Sequence, residues 1–186
     1  YTQCGTEQLA IIDPASGALD RLELGYTSIF SLVSDGADRI ALVAGSATRA
    51  SELAIIDVNT GALDVVKRSL EVDVDPGYLS VPSHFEFPTT GDRTAFAFFY
   101  PPTNKDFELL PKERPPLIVT SHGGPTAMAS TGLNLAIQFW TSRGFGVVDV
   151  NYGGSAGYGR AYRERLEGEW GIVDTYDCVH AALFLA

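Results

Sequence analysis

Apolar positions in the N-terminal part of the chain come in short runs separated by turn residues, the pattern of an all-β segment. Leu9-Ala10-Ile11-Ile12-Asp13, followed by Gly17-Ala18-Leu19-Asp20, recurs as Leu53-Ala54-Ile55-Ile56-Asp57 followed by Gly61-Ala62-Leu63-Asp64, an offset of 44 residues. Each copy predicts a strand, a turn (residues 14–17 and 58–61) and a second strand. Between the copies, residues 29–33 and 39–44 read as two more strands, joined by the turn Ser34-Asp35-Gly36-Ala37. Four short strands in about 44 residues is the period of a β-propeller blade. The segment is therefore expected to hold the outer half of one blade and then a complete blade, a sheet that needs neighbours to bury both faces. A plain β-meander of another all-β domain is the alternative. There is no GH…WD signature of a typical WD40 repeat.

The rhythm breaks at an acidic junction, Glu71-Val72-Asp73-Val74-Asp75-Pro76-Gly77, and the domain boundary is placed there, between 1–76 and 77–186. Next, Phe85-Glu86-Phe87 alternates, Thr89-Thr90-Gly91-Asp92 turns and residues 94–100 form an aromatic-rich run, together a hairpin. His84 starts it in a surface or hydrogen-bonded role. Residues 101–114 read as an exposed polar loop. Leu117-Ile118-Val119-Thr120, opened by Pro115-Pro116, reads as a strand buried on both faces. A helix is expected after it, capped by Ser130 or Thr131, with Leu133, Ile137 and Trp140 on one face and Gly144 as its stop. Phe145-Gly146-Val147-Val148-Asp149-Val150 is the next buried strand, so the order strand, helix, strand predicts a parallel βαβ unit. Farther on, Tyr158, Tyr162 and Leu166 make a helical face, with Arg160, Arg163, Glu164 and Arg165 outside. Trp170 is expected inside, and Asp174 and Asp177 at the N-terminal turn of a last helix.

Composition narrows the function classes. The 186 residues are 45% hydrophobic and 19% charged, an ordinary globular balance for one domain or two small ones. A net charge of −10 disfavours a nucleic-acid or anionic-membrane partner. No apolar run approaches the roughly 18 residues of a membrane helix, no signal peptide is visible, and a cytoplasmic location is expected. Cys4 and Cys178 lack metal-ligand spacing and read as two buried free thiols in a reducing compartment, with a bridge between them as the alternative. Beginning at Tyr1 and ending on the uncapped apolar run Ala181-Ala182-Leu183-Phe184-Leu185-Ala186, the chain reads as an internal piece of a longer protein.

Two stretches carry candidate chemistry. His122-Gly123-Gly124-Pro125 follows a strand, and in α/β-hydrolases an HGG-type turn there supplies an amide aimed at the charge of the transition state. A glycine-rich turn with a structural histidine is the alternative. Residues 153–157 fit the G-x-S-x-G nucleophile pattern, with Asp174 or Asp177 and then His180 following in the right order. Those three, however, fall at i, i+3 and i+6 of one helix, which cannot easily orient a base and its carboxylate around a serine on a separate loop. A hydrolase sheet also expects one more strand between the glycine pair and the nucleophile. Ser155 therefore reads as a loop serine and His180 as a helix-face residue. G-x-G-x-x-G is not formed, so no dinucleotide site is expected.

Together, His122-Gly123-Gly124-Pro125, Asn151-Tyr152-Gly153-Gly154-Ser155-Ala156-Gly157-Tyr158-Gly159, Trp170-Gly171, Asp174 and Asp177 make residues 77–186 resemble the prolyl oligopeptidase family of serine peptidases. The look is that of its acylaminoacyl-peptidase and dipeptidyl-aminopeptidase branches. The resemblance implies a mixed fold, the last one to two blades of a β-propeller followed by the N-terminal half of an α/β-hydrolase domain. It implies that Gly124 offers one oxyanion-hole N–H, with His122 and Gly123 shaping the turn. The nucleophilic serine would lie in a second G-x-S-x-G past residue 186, its Asp and His farther on. By this resemblance the whole protein hydrolyses short peptides from the N-terminus through an acyl-enzyme, with no cofactor and no metal. Its implied partners are the peptide substrate and the remainder of the hydrolase domain, and the chain alone is inactive, with an unpaired edge beside the glycine-pair strand. The family's loop usually reads N-Y-R-G-S, and here Gly153 replaces the arginine. An esterase of the same fold and a non-catalytic propeller–hydrolase binding module are the alternatives.

Overall fold

The computed structural model describes residues 1–71 and 73–186; Val72, within the acidic junction, lies outside the described residues. The chain divides into two units, Tyr1–Asp73 with Thr131–Leu133, and Val74–Ser130 with Asn134–Ala186.

The first unit is antiparallel throughout. Strands β1 (Thr2–Gln3) and β2 (Thr6–Glu7) pair, as do β3 (Leu9–Ile12) and β4 (Leu19–Leu22). Strands β5 (Ser28–Ser34), β6 (Arg39–Ser46), β7 (Arg49–Asp57) and β8 (Leu63–Arg68) form a four-stranded meander in chain order. The sequence repeat is a structural one, because β3–β4 and β7–β8 turn through the same device. Asp13 accepts from the Ala15 amide and the Ser16 hydroxyl, and Asp57 from the Asn59 and Thr60 amides and the Thr60 hydroxyl. In each, a glycine at φ +72° (Gly17) or +70° (Gly61) donates back to the aspartate carbonyl. An aspartate that bonds its own downstream backbone and a glycine in the left-handed region are what such a turn needs. The Ser16 hydroxyl and the Thr60 amide foremost hold the Asp13 and Asp57 carboxyls below the usual range. Tyr26, Leu42, Ala44, Ala54 and Ile56 form the core of this unit. Cys4 is exposed and Cys178 half-buried, not two buried thiols; Cys4 sits in a tight turn at φ +50°, where its side chain points away from any core.

In the second unit, β9 (Ser83–Thr89) and β10 (Arg93–Tyr100) make the expected hairpin, and β11 (Leu117–Ser121), α1 (Leu135–Thr141) and β12 (Gly146–Asn151) the expected βαβ unit. They share one sheet in the order β11-β12-β10-β9, with β12 parallel to β11 and antiparallel to β10. This order leaves β11 at an edge of the sheet, the unpaired edge expected beside the glycine-pair strand, and corrects only the reading of β11 as buried on both faces. β12 and β10 each pair on both sides, whereas β11 pairs on one side only and none of its residues is fully buried. One face of the sheet packs Phe87, Ala95, Ala97, Val148 and Val150 against Leu166, Val173 and Ala181; the other packs Phe98, Tyr100 and Val147 against Ala129 and Ile137.

Helix α1 differs from expectation at its start and on its buried face. Its cap is Asn134, whose side chain accepts from the amides of Ala136 and Ile137. Thr131 cannot cap it, because its hydroxyl is committed to the Thr27 carbonyl at 3.0 Å. The buried positions are Ile137, Gln138 and Thr141, while Trp140 is 40% exposed. A polar residue displaces the tryptophan because Gln138 supplies backbone-like partners: its Oε1 accepts from the Ser80 amide at 2.7 Å and its amide donates to the Ser80 carbonyl at 3.0 Å. Gln138→Leu keeps the volume but orphans both Ser80 groups, and is expected to lower the unfolding free energy by about 2 kcal/mol in urea titration. Gly144 ends the helix as expected, at φ +88° with its amide on the Thr141 carbonyl.

After β12 come α2 (Arg160–Arg163), a 3-10 turn (Glu164–Leu166) and α3 (Val173–Leu185). Tyr162 and Leu166 are buried, but three other positions depart from expectation. Trp170 is 61% exposed, because the tight turns around Gly168 and Gly171 carry it away from the sheet. Arg165 turns inward, its Nη1 donating to the Thr94 carbonyl at 2.7 Å and its guanidinium lying over the Tyr162 ring. Asp177 is not part of the first turn of α3 and is 2% exposed. Among the described residues no helix is long and apolar enough to cross a membrane.

Candidate active site

Because β11 and β12 run parallel in the register Ser121↔Val150, the segments leaving their C-terminal ends emerge side by side. The C-terminal edge of parallel strands is where open α/β sheets place their ligands. Here it brings together the glycine-pair turn and the 151–159 loop, the two stretches singled out in the sequence.

The contacts are specific. His122 Nε2 lies 2.6 Å from Ser155 Oγ, and the His122 ring stacks on Tyr152 with centroids 4.4 Å apart. The Tyr152 hydroxyl donates to the Gly124 carbonyl at 2.7 Å and lies 3.3 Å from His122 Nδ1, which is also 3.3 Å from the Gly123 carbonyl. Farther along, the Asn151 side chain accepts from the Ala129 amide at 2.8 Å, and the Ala156 amide donates to the Ala127 carbonyl at 2.9 Å. The 122–129 segment is thus laced to the 151–159 loop.

One tautomer satisfies the whole set. With the proton on Nδ1, Ser155 donates to Nε2, Nδ1–H faces the Gly123 carbonyl and the Tyr152 oxygen, and the phenol keeps its own proton for Gly124. Burial pushes the His122 pKa below the ordinary histidine value, with the Gly123 and Gly124 carbonyls pulling the other way. The ring is therefore neutral at pH 7. Burial likewise raises the Tyr152 phenol.

A serine bonded to a histidine is the geometry of an activated nucleophile, but two features argue otherwise here. Ser155 is 0% exposed, so no substrate carbonyl reaches its Oγ. And His122 Nδ1 faces a carbonyl and a phenol, not a carboxylate. The three acidic and basic candidates from the sequence lie elsewhere. Asp174 accepts from the Gly171 amide, Asp177 from the Gly153 amide and the Thr89 hydroxyl, and His180 is half-buried on α3. Ser155 is a loop serine, as its sequence context suggested. His84, at the start of β9, stacks on Phe96 and Tyr158 and shares a 3.2 Å contact with the Tyr158 hydroxyl, a structural role.

Gly124 sits at φ +76°, exposed, in a conformation that L side chains rarely adopt. Its carbonyl is held by Tyr152, while among the described residues its amide donates to no protein acceptor. Among the described residues no group of three His, Cys, Asp or Glu is placed to hold a metal ion.

Residues 131–186 match the model of the prolyl oligopeptidase family. The solved structure of a Mycobacterium tuberculosis puromycin-hydrolyzing peptidase superposes with a TM-score of 0.92 at 38% identity, over 97% of this chain and 28% of that one. A puromycin hydrolase superposes with a TM-score of 0.90 at 42% identity, over 98% of this chain and again 28% of that one. The chain is thus similar, over nearly its whole length, to solved peptidases, and residues 131–186 carry the match to the prolyl oligopeptidase family. Among curated proteins, the dipeptidyl aminopeptidase BIII of Pseudoxanthomonas mexicana is 40% identical over 55 residues, 30% of this chain and 8% of that protein. The chain thus spans less than a third of the length of these relatives.

Within the family pattern, Gly153 is the departure noted in the sequence, and the structure gives its reason. A Cβ there would meet Val173 Cγ1 at 2.9 Å and the Arg165 stem at 3.3 Å. At Gly154, φ is +130° and a Cβ would meet Leu166 Cβ at 2.8 Å. The inward turn of Arg165 fills the space in which any side chain at 153 would begin. Here the loop backbone is pressed directly onto α3 and the 3-10 turn. Sequence reasoning gives Tyr152 no role of its own and places Asp177 in the first turn of α3. Besides its place in the Asn151–Gly159 motif, Tyr152 has a positional signal: it follows β12 by one residue just as His122 follows β11 by one.

Proposed function

We propose that this chain is part of a serine peptidase that hydrolyses short peptides from the N-terminal side, and that Gly124 contributes one oxyanion-hole N–H. The observation that carries the reading is the glycine-pair turn itself. Its Gly124 carbonyl is tied down by Tyr152, its amide has no protein acceptor among the described residues, and it stands at the C-terminal edge of the parallel strands. A fixed, exposed amide costs no reorganisation when negative charge appears on a carbonyl oxygen. His122 and Gly123 shape the turn. The nucleophile, its base and its carboxylate are assigned to parts of the longer protein outside this sequence, consistent with the share of each relative that the chain spans. No step of this chemistry draws on a metal or cofactor.

The same reading takes residues 1–76 as the end of a β-propeller, with β3–β4 the outer half of one blade and β5–β8 a complete blade, and 77–186 as the start of the hydrolase domain. The identical turns at Asp13 and Asp57 support it. The name of one relative, a dipeptidyl aminopeptidase, favours substrates cleaved near the N-terminus.

The test is hydrolysis of aminoacyl- and acylaminoacyl-p-nitroanilides. The longer protein is expected to turn them over and the 186-residue chain to show none. Turnover by the short chain that disappears in Ser155→Ala would return the nucleophile to Ser155 and overturn the reading. Cleavage of p-nitrophenyl esters but no anilide by the longer protein would replace peptidase with esterase.

A further inference from the structure

Resting on the reading of Gly124 as an oxyanion donor, we propose that Tyr152 is the positioning residue that sets the orientation of the Gly123–Gly124 peptide, with Ser155 acting through His122 as its second anchor. The glycines explain why an anchor is needed. Neither Gly123 nor Gly124 has any heavy atom within 4 Å of where a Cβ would stand, so packing does not hold this turn. Two consecutive glycines without packing have wide conformational freedom. A 30° swing of the peptide would misdirect the amide that must meet the oxyanion.

The restraint comes instead from one aromatic side chain that is 4% exposed. The Tyr152 hydroxyl gives its proton to the Gly124 carbonyl at 2.7 Å, which fixes the peptide that leaves Gly124. The same oxygen lies 3.3 Å from both the His122 carbonyl and Nδ1, and the ring stacks on the imidazole, which fixes the peptide that enters Gly123. Between these two fixed peptides lies the one whose N–H belongs to Gly124. Ser155, 0% exposed and 2.6 Å from Nε2, holds the imidazole from its other side. Tyr152 in turn is set by β12, the most enclosed strand of the sheet, so the orientation of a loop amide is referred to the rigid core. None of these groups is required to touch substrate.

The experiment is Tyr152→Phe and, separately, Ser155→Ala in the longer protein. Each is followed by kcat and KM on a p-nitroanilide, by inhibition with a peptide boronate that mimics the tetrahedral state, and by the 15N signals of the His122 ring. Tyr152→Phe is expected to lower kcat by about 10- to 100-fold, below the full loss of one oxyanion donor. KM should move less than about threefold, and the boronate should weaken by the same factor as kcat, because only transition-state binding is lost. Ser155→Ala should fall in the same direction by about tenfold or less, far short of the loss of a nucleophile. The Nδ1–H tautomer signature of His122 should weaken in both variants. Should Tyr152→Phe fail to fold, Ser155→Ala still reads the second anchor, on the opposite nitrogen of the same imidazole, and unchanged kcat and boronate affinity there overturn the inference. A Tyr152→Phe enzyme with unchanged His122 signals and kcat within twofold overturns the inference while leaving Gly124 as donor. Altered His122 signals with full kcat and boronate affinity overturn the oxyanion reading, and this inference with it.

Discussion

Asp177→Ala is expected to lower the unfolding free energy of the second unit by about 4 kcal/mol. Asp177 is 2% exposed on α3, and its two carboxyl oxygens serve two different elements. Oδ2 accepts from the Gly153 amide at 2.7 Å and Oδ1 from the Thr89 hydroxyl, at the end of β9, at 2.6 Å. Removing the side chain deletes both bonds and strands a buried amide and a half-buried hydroxyl. Bonds to an acidic group contribute about 1.5–3 kcal/mol each, and orphaned buried donors cost about 1–3 kcal/mol. Asp177→Asn keeps one oxygen as acceptor but turns an amide toward a second donor, so roughly half the loss is expected. Urea denaturation checks both variants, and a loss under about 1 kcal/mol for the alanine variant would mean that water replaces the carboxyl. Because Gly153 neighbours Tyr152, the same substitution should also loosen the His122 contacts.

Asp149→Asn should stabilise the protein at neutral pH and do little in acid. Asp149 is a half-buried carboxyl on β12, beside Phe98 of β10 and Thr120 of β11 in register. Burial pushes its pKa up to about 6 from 3.8. The folded state therefore holds the proton more tightly than the unfolded chain. Ionising Asp149 costs nothing below about pH 4, costs progressively more as pH rises toward 6, and is constant above that. A shift of about two units corresponds to ~3 kcal/mol at the plateau. The Asn variant should thus exceed the parent by up to ~3 kcal/mol at pH 8 and match it near pH 4, read by urea unfolding at both values. A difference independent of pH would trace the gain to packing and remove Asp149 from the account. Its charge also helps burial hold the Tyr100 phenol protonated.

Some of this architecture is written locally. The duplicated LAIID…GALD segments fold into duplicated hairpins because an aspartate and a glycine four positions apart close each turn without outside help. The hairpin of β9 and β10 and the βαβ unit follow from alternation, turn residues and a glycine stop in the same way. What misled the sequence reading were questions of partner and depth. The run at 117–120 suggests burial on both faces, but with a neighbour on one side only, none of the residues of β11 is fully buried. Trp140 looks like a better core residue than Gln138, until the Ser80 backbone supplies the amide with two partners. Trp170 and Asp177 exchange their expected places, the apolar one exposed and the acidic one buried, because turns set the first and two stranded donors recruit the second.

By itself, the sequence determined the repeated hairpins, the strand–helix–strand order, the glycine pair at the end of β11 and the likeness to the prolyl oligopeptidase family. Those features depend on contacts between residues near each other in the chain, or on motifs that name their own backbone geometry. The tertiary structure alone decided that His122, Tyr152 and Ser155 form one connected set, that Tyr152 of this set holds the Gly124 carbonyl, and that Ser155 is sealed from solvent. Residues about thirty apart in the chain meet only because two strands run parallel in one register, and nothing in the local sequence around either strand specifies that register.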